Sequence, residues 1–485
     1  MTKPAAGRGD VNRENRAGGV VEEAAMQGEG SSIGSKTDRG IGKRQPCRKR
    51  VGRMKYDFTT YYDRHGKDAL AVDGIGKPGG FAPAAPDAGT DAIPMWVADM
   101  NFATAPSVIR ALEERIAHPL FGYYEISDAY YDSILRWQRT RNGVQDLTRA
   151  CIGYENGVLG GVSTALSVFC SRGDSVLIHT PAYMGFTGVL SNNGYRIISS
   201  PLRQDADGIW RMDFADMERK LKEEHIHAAI FCSPHNPCGR VWTREELEEA
   251  YRLFEKYDVM VISDEIWSDL ILKGNRQAPS KDACQEDAPD TGKRLHSDGT
   301  QEKIRHIPSQ SISEDARMRT VALYAPSKTF NLAGLIGSYH VIFNETMRDR
   351  IRKESSLGHY NSMNVLSMHA LTGAYSPKGE EWLEELTQVL TDNVRYAVQY
   401  IRENFEGVTV SMPEGTYMLF PDCTDWCRAH QCTLKELEER IWRTGAAVQD
   451  GAMFHGPCHL RMNLALPFAK VEEAMERMKR AFQGC

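Results

Sequence analysis

Four polar residues in separate stretches of the chain have the chemistry needed to bind and activate an amino acid. Lys328 lies in the run Ala-Pro-Ser-Lys-Thr-Phe-Asn, and Asp264 directly follows the apolar run Val-Met-Val-Ile-Ser. Asn236 is bounded by prolines in Pro-His-Asn-Pro-Cys-Gly-Arg, and Arg461 lies late in the chain in His-Leu-Arg-Met-Asn. A nucleophilic amine, a carboxylate, an amide and an arginine are the groups that bind pyridoxal phosphate (PLP) and its substrate. Their types and order therefore predict a PLP site.

Lys328 is predicted to attach the cofactor covalently and to act in catalysis. Its amine must be partly desolvated to be neutral and nucleophilic, and a Ser-Lys-Thr turn after a buried strand meets that condition. The alternative is a solvated surface lysine. Asp264 is predicted to keep the pyridine nitrogen protonated, with a helix cap as its alternative role, whereas Glu265 would point to the opposite face of the strand. Asn236, fixed by its prolines, is predicted to donate to the ring oxygen, a role compatible with an Asx turn.

Further residues are predicted to hold the ring, the phosphate and the substrate. Tyr183 follows a strand and is predicted to stack on the pyridine ring, although an aromatic residue there is also typical of a core. The backbone amides of Val158 and Leu159, in a Gly-rich turn before a helix expected to start near Ser163, are predicted to bind phosphate. Arg461 lies in a short apolar strand, where an unpaired cation is costly. It is therefore predicted to bind the carboxylate of a small amino-acid substrate.

The elements that must position these residues alternate between apolar strand-like runs and helical patterns. Such alternation predicts an α/β fold with a mainly parallel sheet covered by helices on both faces. A capping box, Thr243-Arg-Glu-Glu246, opens a helix expected to run to about Tyr257. Ligands of such sheets bind at the carboxyl ends of the strands, where Asp264 and Lys328 lie. The expected strands are 175–179, 228–232, 259–263 and 320–324.

The domain organisation follows from shifts in composition. Residues 1–53 are predicted to be a disordered basic extension, because they have almost no large apolar residue. Residues 54–94 are predicted to be an N-terminal segment that packs with the small domain. Residues 95–345 are predicted to form the large PLP-binding domain, interrupted by a polar loop insertion at 275–304. Residues 346–485, with long helical patterns around short strands, are predicted to form a smaller α+β domain.

Charge and cysteine usage exclude several function classes. The chain has 485 residues and a net charge of −6, so its overall charge does not indicate nucleic-acid binding. No apolar run is long enough to span a membrane, and the N-terminus has no hydrophobic signal core. The 11 cysteines are scattered, and the cluster Cys423, Cys427 and Cys432 lacks the spacing of a common zinc site. We expect a cytoplasmic protein without a metal.

The chain from residue 54 to its end resembles the fold-type I PLP enzymes. Within the class I/II aminotransferase superfamily it is most similar to the MalY/PatB group of cysteine-S-conjugate (cystathionine) β-lyases. Trp-Val-Ala-Asp-Met and Phe-Gly-Tyr favour this group over ordinary aminotransferases. The matching stretches are Pro-Met-Trp-Val-Ala-Asp-Met at 94–100, Phe-Gly-Tyr at 121–123, Ser-Pro-His-Asn-Pro at 233–237, Asp-Glu-Ile at 264–266, Pro-Ser-Lys-Thr-Phe-Asn at 326–331, Ala-Gly-Leu at 333–335 and Arg-Met-Asn at 461–463.

The resemblance implies roles for further residues. Tyr123 is expected to reach the phosphate or substrate of a neighbouring subunit, which implies a homodimer with shared active sites. Trp267 stands where the family has His or Tyr near the ring oxygen, and its indole can only donate. Ile336 stands where many superfamily members place a phosphate-binding arginine. Phosphate binding is therefore expected from Ser327, from the amides at 158–159 and from Tyr123. Asn101 replaces the usual acid after Ala-Asp-Met.

The resemblance also implies a reaction. Lys328 would remove the α-proton of a cysteine conjugate, a thiolate would leave the β-carbon, and hydrolysis would give pyruvate and ammonia. The first alternative is a class I/II aminotransferase, which uses the same residues but returns the proton to the cofactor. A second alternative is a regulatory, partner-binding protein with residual lyase activity. Residues 1–53 are too short and glycine-rich for a DNA-binding helix pair, so no contact with nucleic acid is expected.

Overall fold

The computed structural model describes residues 54–77, 81–274, 293–295 and 301–483. The predicted extension at 1–53 lies outside the described residues, as does most of the predicted insertion at 275–304. Inside that insertion, the described segments 293–295 and 301–303 pair as two short antiparallel strands. Across the described ranges, no helix has both the length and the apolar character needed to cross a membrane.

The helices and strands alternate along the chain as the sequence predicts. The helix Arg244–Lys256 begins with the predicted capping box, in which Thr243 and Glu246 exchange side-chain and backbone hydrogen bonds. The helices are α1 Leu70–Asp73, α2 Pro106–Ala117, α3 Asp128–Arg141, α4 Val158–Phe169, α5 Met184–Asn192, α6 Phe214–Glu223, α7 Arg244–Lys256, α8 Glu314–Arg319, α9 Glu345–Gly358, α10 Val365–Ala374, α11 Pro377–Asn404, α12 Thr424–Ala429, α13 Leu434–Arg443 and α14 Phe468–Gln483. The strands are β1 Ile93–Pro94, β2 Ile152–Glu155, β3 Ser175–Thr180, β4 Arg196–Pro201, β5 Arg203–Gln204, β6 Trp210–Arg211, β7 Ile226–Cys232, β8 Met260–Asp264, β9 Lys293–Leu295, β10 Gln301–Lys303, β11 Thr320–Tyr324, β12 Ser338–Val341, β13 Met418–Leu419, β14 Ala446–Ala447, β15 Gln449–Asp450 and β16 Leu460–Asn463.

A seven-stranded sheet forms the centre of the molecule, in the order β2-β12-β11-β8-β7-β3-β4. The five strands from β11 to β4 run parallel to one another, whereas β12 and β2 pair antiparallel at one edge. The four predicted strands are β3, β7, β8 and β11, in the middle of this sheet. The predicted α/β class with a mainly parallel sheet is therefore confirmed.

The central strands are apolar on both faces because helices cover both faces. Along β7, Ile230 packs into one hydrophobic cluster with residues of α4 and α5, and its neighbour Phe231 packs into another with residues of α6 and α7. On β8, Ile262 packs into the same cluster as Ile230, and Val261 packs into the same cluster as Phe231. This two-residue period fixes the register, so the last residue of each strand has a defined direction.

The C-terminal part of the chain contains a separate small sheet. Strands β13, β16 and β15 pair antiparallel in that order, and α13, which packs on α14, contacts β15. The N-terminal segment contacts this part, since Ile93 of β1 pairs with Ala446 of β14 and the ring of Phe58 lies 5.6 Å from that of Trp382. Strand β16 carries Arg461. The small sheet thus holds a predicted site residue that does not belong to the central sheet.

Candidate active site

Three predicted site residues meet at the carboxyl edge of the central sheet. Asp264 is the last residue of β8, Asn236 lies in the turn after β7, and Lys328 lies four residues after β11. Both β7 and β11 are direct neighbours of β8. Because parallel strands end at the same edge, these three side chains are brought together.

Lys328 is half-buried, and its Nζ donates a hydrogen bond of 2.9 Å to the backbone oxygen of Ala98. Burial, and after it the positive charge of Arg461, lowers the pKa of Lys328 to about 8, while Asp99 and Asp264 oppose the shift. The amine is therefore neutral in a substantial fraction of molecules near pH 7–8. That fraction is what nucleophilic attack and proton abstraction require.

Asp264 is buried without a cation at hydrogen-bond distance among the described residues. Its Oδ1 accepts one hydrogen bond, of 3.1 Å, from the backbone N–H of Ile266. Burial raises its pKa to about 7, against the hydrogen bond from Ile266 and the charge of Lys328. A buried carboxylate in this state is stabilised by any N–H cation that binds beside it.

Asn236 also has unused hydrogen-bonding capacity. Its side chain is 4% exposed, and its Oδ1 has no hydrogen-bond partner within the described structure. The turn that carries it is held by backbone hydrogen bonds from His235 N–H to the oxygen of Arg240 and from Gly239 N–H to the oxygen of His235. The His235 ring also holds it, since its Nε2 lies 2.7 Å from the oxygen of Pro181. A fixed turn with an unpartnered amide is suited to a polar ligand.

The glycine-rich turn differs from the prediction in where its helix starts. Helix α4 begins at Val158, five residues before the predicted start near Ser163. Glycine disfavours helices, but Gly161 is required here because a Cβ would lie 2.6 Å from Leu323 Cδ2 of β11. Val158 and Leu159 are thus the first residues of a helix, whose amides lack helical acceptors.

Ser327 and Ile336 lie on the segment after β11. Ser327 is half-buried next to Lys328. Ile336 has a left-handed backbone (φ 46°), and its Cγ2 is 3.9 Å from the position that a Cβ on Gly157 would occupy. The aliphatic side chain therefore lies against the turn that begins α4, where the amides of Val158 and Leu159 are the polar groups.

Tyr183 lies at the start of α5, between the α4 turn and Arg461. Its ring covers Gly185, where a Cβ would lie 2.4 Å from Tyr183 Cε1 and 2.9 Å from Leu159 Cδ1. Burial raises the pKa of Tyr183, with Arg461 opposing and Asp264 adding to the shift. Because the charges of Arg461 and Asp264 both act on its hydroxyl, the Tyr183 ring lies near these two predicted site residues.

Arg461 is buried and has neutral neighbours. Its Nη1 donates to the backbone oxygen of Trp96 (3.1 Å) and to Gln449 Oε1 (2.7 Å), and the guanidinium lies 4.6 Å from the ring centre of Phe454. Its Nε has no partner, and no described carboxylate forms an ion pair with it. Burial lowers its pKa to about 10. An unpaired buried guanidinium is suited to an incoming carboxylate.

Trp267 and Tyr417 complete the surroundings of the lysine. The ring of Trp267 is 5.9 Å from Lys328 Nζ and meets the ring of Tyr417 edge to face at 4.9 Å. Tyr417 donates a 3.0 Å hydrogen bond to the oxygen of Ala98, the same atom that accepts from Lys328. Tyr417 was not predicted as a site residue, because it is distant in sequence from every site motif. The local feature that marks it is the turn-like run Glu-Gly-Thr-Tyr at 414–417. In the structure, Thr416 of this run has a left-handed backbone (φ 67°).

Asparagine side chains hold the segment that presents the Ala98 oxygen. Asn463 Nδ2 donates to the oxygens of Val97 and Asp99, at 2.7 and 2.5 Å. Asn331 both accepts from and donates to the backbone of Met100. Sequence analysis gave these asparagines as parts of motifs without a role. The structure assigns them the positioning of residues 97–100.

Tyr123 is not brought to this site within one chain. It lies between α2 and α3 and is fully exposed, as are much of Leu120 and Phe121. The described residues provide no hydrogen bond or ring contact to its side chain. Its predicted role needs a second subunit and stays a prediction.

The free groups at this edge fit PLP. Asp264 offers a carboxylate to a protonated ring nitrogen, Asn236 offers an amide to the ring oxygen, and the start of α4 offers amides to a phosphate. Lys328 offers an amine with a lowered pKa. No group of three or more His, Cys, Asp or Glu side chains in the described ranges is arranged to hold a metal ion.

Comparison with known proteins identifies close relatives of the chain. The family described as aminotransferase class I and II matches residues 90–478. Cystathionine β-lyase PatB of Bacillus subtilis is 31% identical over 395 residues, which cover 81% of this chain and 93% of PatB. Protein MalY of Escherichia coli is 29% identical over 433 residues, covering 88% of this chain and 99% of MalY.

Solved structures of PLP-bound proteins also resemble this chain. The PLP-bound C-S lyase from Staphylococcus hominis superposes with a TM-score of 0.75 at 27% identity, over 89% of this chain and 99% of that one. Cystalysin from Treponema denticola, which contains PLP, gives a TM-score of 0.76 at 29% identity, over 89% and 100%. A PLP-bound putative aminotransferase from Clostridium difficile gives 0.76 at 32% identity, over 88% and 100%.

Proposed function

The chain belongs to the aminotransferase class I and II family, and within it we propose that the protein is a PLP-dependent C–S β-lyase. It cleaves cystathionine or cysteine S-conjugates to a thiol, pyruvate and ammonia. The observation that carries this proposal is the partly buried Lys328 amine beside the unpaired Asp264 carboxylate, in a chain whose relatives PatB and Staphylococcus hominis C-S lyase are named for this reaction.

We propose that the site residues bind different parts of the cofactor. Lys328 binds it covalently, Asp264 holds the ring nitrogen, and Asn236 and Trp267 hold the ring oxygen. Tyr183 covers the ring, while Ser327 and the amides of Val158 and Leu159 bind the phosphate, with Tyr123 of a second subunit. When bound, PLP supplies an electron-withdrawing ring that stabilises negative charge on the substrate α-carbon.

The residues of the chain then perform the proton transfers and the orientation. Arg461 holds the substrate carboxylate through the part of its guanidinium that Trp96 and Gln449 leave free. Lys328, with a pKa of about 8, removes the α-proton as a neutral amine and keeps it at Nζ, where the oxygen of Ala98 accepts a hydrogen bond. The electron pair of the Cα–H bond forms a Cα=Cβ double bond as the thiolate leaves the β-carbon with the electron pair of the C–S bond. One water then hydrolyses the released enamine to pyruvate and ammonia.

We also propose a homodimer with shared sites in the cytoplasm. The exposed apolar side chains Leu120, Phe121 and Tyr123 support a subunit contact, because apolar patches of this kind mark interaction surfaces. The buried residues Cys232, Cys238 and Cys423 are free thiols, which supports a reducing compartment.

The experiment is a product assay with cystathionine and no keto acid. We expect pyruvate and thiol in equal amounts, and no such products from the Lys328→Ala protein. The competing function is an aminotransferase, favoured by the likeness to the putative aminotransferase of Clostridium difficile. Turnover that depends on an added keto acid, without pyruvate release, would decide for that function.

A further inference from the structure

Gln449 is the side chain that holds Arg461 in place. It lies on β15 directly opposite Arg461 of β16, is 3% exposed, and accepts a 2.7 Å hydrogen bond from Arg461 Nη1. A directly paired position across two strands is the shortest and most rigid link that a sheet offers. The direction of the guanidinium therefore depends on residue 449.

Gln449 is a neutral partner for a buried arginine. A buried arginine is ordinarily paired with a carboxylate, because an uncompensated buried charge is costly. Glutamate has the same length and shape as glutamine and would accept the same hydrogen bond. Here the neighbours within reach are all neutral, namely Gln449, the oxygen of Trp96 and the ring of Phe454.

We propose that Gln449 is a positioning residue that orients Arg461 through a neutral acceptor, so that the whole positive charge of the guanidinium is available to the carboxylate of the amino-acid substrate. This inference rests on the proposed role of Arg461. A glutamate at 449 would satisfy the hydrogen bond and cancel the charge.

The same arrangement influences Lys328. The charge of Arg461 is, after burial, the second cause that lowers the pKa of Lys328, and Asp99 and Asp264 are the charges that oppose it. Tyr183 and Tyr417 are the titratable groups that act on Arg461 itself. Cancelling the charge of Arg461 would therefore raise the pKa of Lys328 as well as weaken carboxylate binding.

The test compares two ligands that differ only in the carboxylate. L-alanine and ethylamine are titrated into the PLP-loaded protein, and their apparent Kd values are read from the change in the visible spectrum. We expect Gln449→Glu to reduce the preference for alanine over ethylamine at least tenfold and to move the acidic limb of the kcat/KM profile to higher pH, because Lys328 acts as a neutral amine. The control Gln145→Glu adds the same charge at an exposed site and should change neither quantity.

A second variant separates charge from shape. Gln449→Met removes the acceptor without adding charge, so the preference for alanine should fall by only about threefold to tenfold. Gln449→Met also tests the inference if the Gln449→Glu protein does not fold. An unchanged preference in Gln449→Met would then overturn the inference.

The outcomes distinguish this inference from the proposed function. If the wild-type protein binds alanine no better than ethylamine, the role of Arg461 fails and the inference fails with it. If the wild type prefers alanine and Gln449→Glu keeps that preference within twofold, the inference alone is overturned.

Discussion

Burial shifts the two ionisable groups at the centre of the site toward their neutral forms. The pKa of Lys328 falls to about 8 and that of Asp264 rises to about 7. A neutral amine is the reactive form of a lysine, whereas the aspartate must be charged to hold a protonated ring nitrogen. The cofactor-free site is thus under electrostatic strain at Asp264, and binding of a cationic ring nitrogen relieves it.

This strain predicts a pH dependence of stability for the cofactor-free protein. A carboxyl whose pKa is 3.8 unfolded and about 7 folded binds more protons in the folded state between these values, so stability falls as pH rises from about 4 to 7. The full shift corresponds to about 4 kcal/mol. Asp264→Asn should lose this fall and melt at a higher temperature than the wild type at pH 7. Parallel melting curves of both proteins from pH 5 to pH 7.5 would contradict the burial of an unpaired Asp264.

At the scale of elements, the start of helix α4 depends on one close contact. A methyl group at Gly161 would lie 2.6 Å from Leu323 Cδ2, whereas one at Gly160 would meet only Asn156 Cβ at 3.7 Å. Gly161→Ala should displace the start of α4 from β11 and weaken PLP binding about tenfold, because the amides proposed to bind the phosphate belong to that turn.

Gly160→Ala is the matched control for this prediction. It lies in the same helical turn with room for a methyl group, so it should keep PLP affinity and gain up to about 1 kcal/mol of stability. The two affinities are measured by fluorescence titration of the cofactor-free proteins. Equal PLP affinities for the two variants would show that the α4 turn does not bind the phosphate.

The local sequence locates candidate site residues near strand ends, but not the residues that distant segments bring beside them. The structure brings Lys328, Asp264 and Asn236 together because each ends or follows a strand of the central sheet, and their roles stay predictions. The predicted start of α4 near Ser163 is five residues too late, because the contact of Gly161 with Leu323, more than 150 residues away, leaves no trace in the local sequence. Tyr417 and Gln449 were missed for the same reason, since their roles depend on pairing with Ala98 and Arg461.

At the scale of the whole molecule, buried charges join the turn after β7 to the C-terminal part. Arg240, six residues after Pro234, forms ion pairs with Glu246 of α7 and with Glu414, and both partners are buried. Glu414 opens the run that presents Tyr417, so the ion pair between Arg240 and Glu414 links the segments bearing Asn236 and Tyr417. The division of the chain into a large domain at 95–345 and a small domain at 346–485 stays a prediction.

Removal of residues 1–53 tests the predicted extension. This segment has too few large apolar residues to build a core, so a chain that starts at Met54 should keep its activity and its melting temperature. Activity with cystathionine and a thermal melt are measured side by side with the full chain. A marked loss of PLP binding would show that the segment has a structural role.

Mixing two inactive variants tests the shared sites. If Tyr123 acts in the partner's site, Lys328→Ala and Tyr123→Ala homodimers each have defective sites, but a mixed dimer contains one site with both residues intact. Unfolding and refolding the two proteins together should restore up to about a quarter of wild-type activity. Activity no higher than the sum of the separate variants would place Tyr123 outside the partner's site.

The central claim is that Lys328 is the amine that attaches the cofactor, since the roles of Asp264, Asn236 and Arg461 are all defined relative to it. The direct measurement is reduction of the PLP-loaded protein with borohydride, which makes the attachment permanent, followed by digestion and mass spectrometry. The structure predicts the cofactor mass on the peptide that contains Ser327 and Lys328, and its absence from the Lys328→Ala protein. Cofactor found on a different lysine of the wild-type protein would contradict the claim.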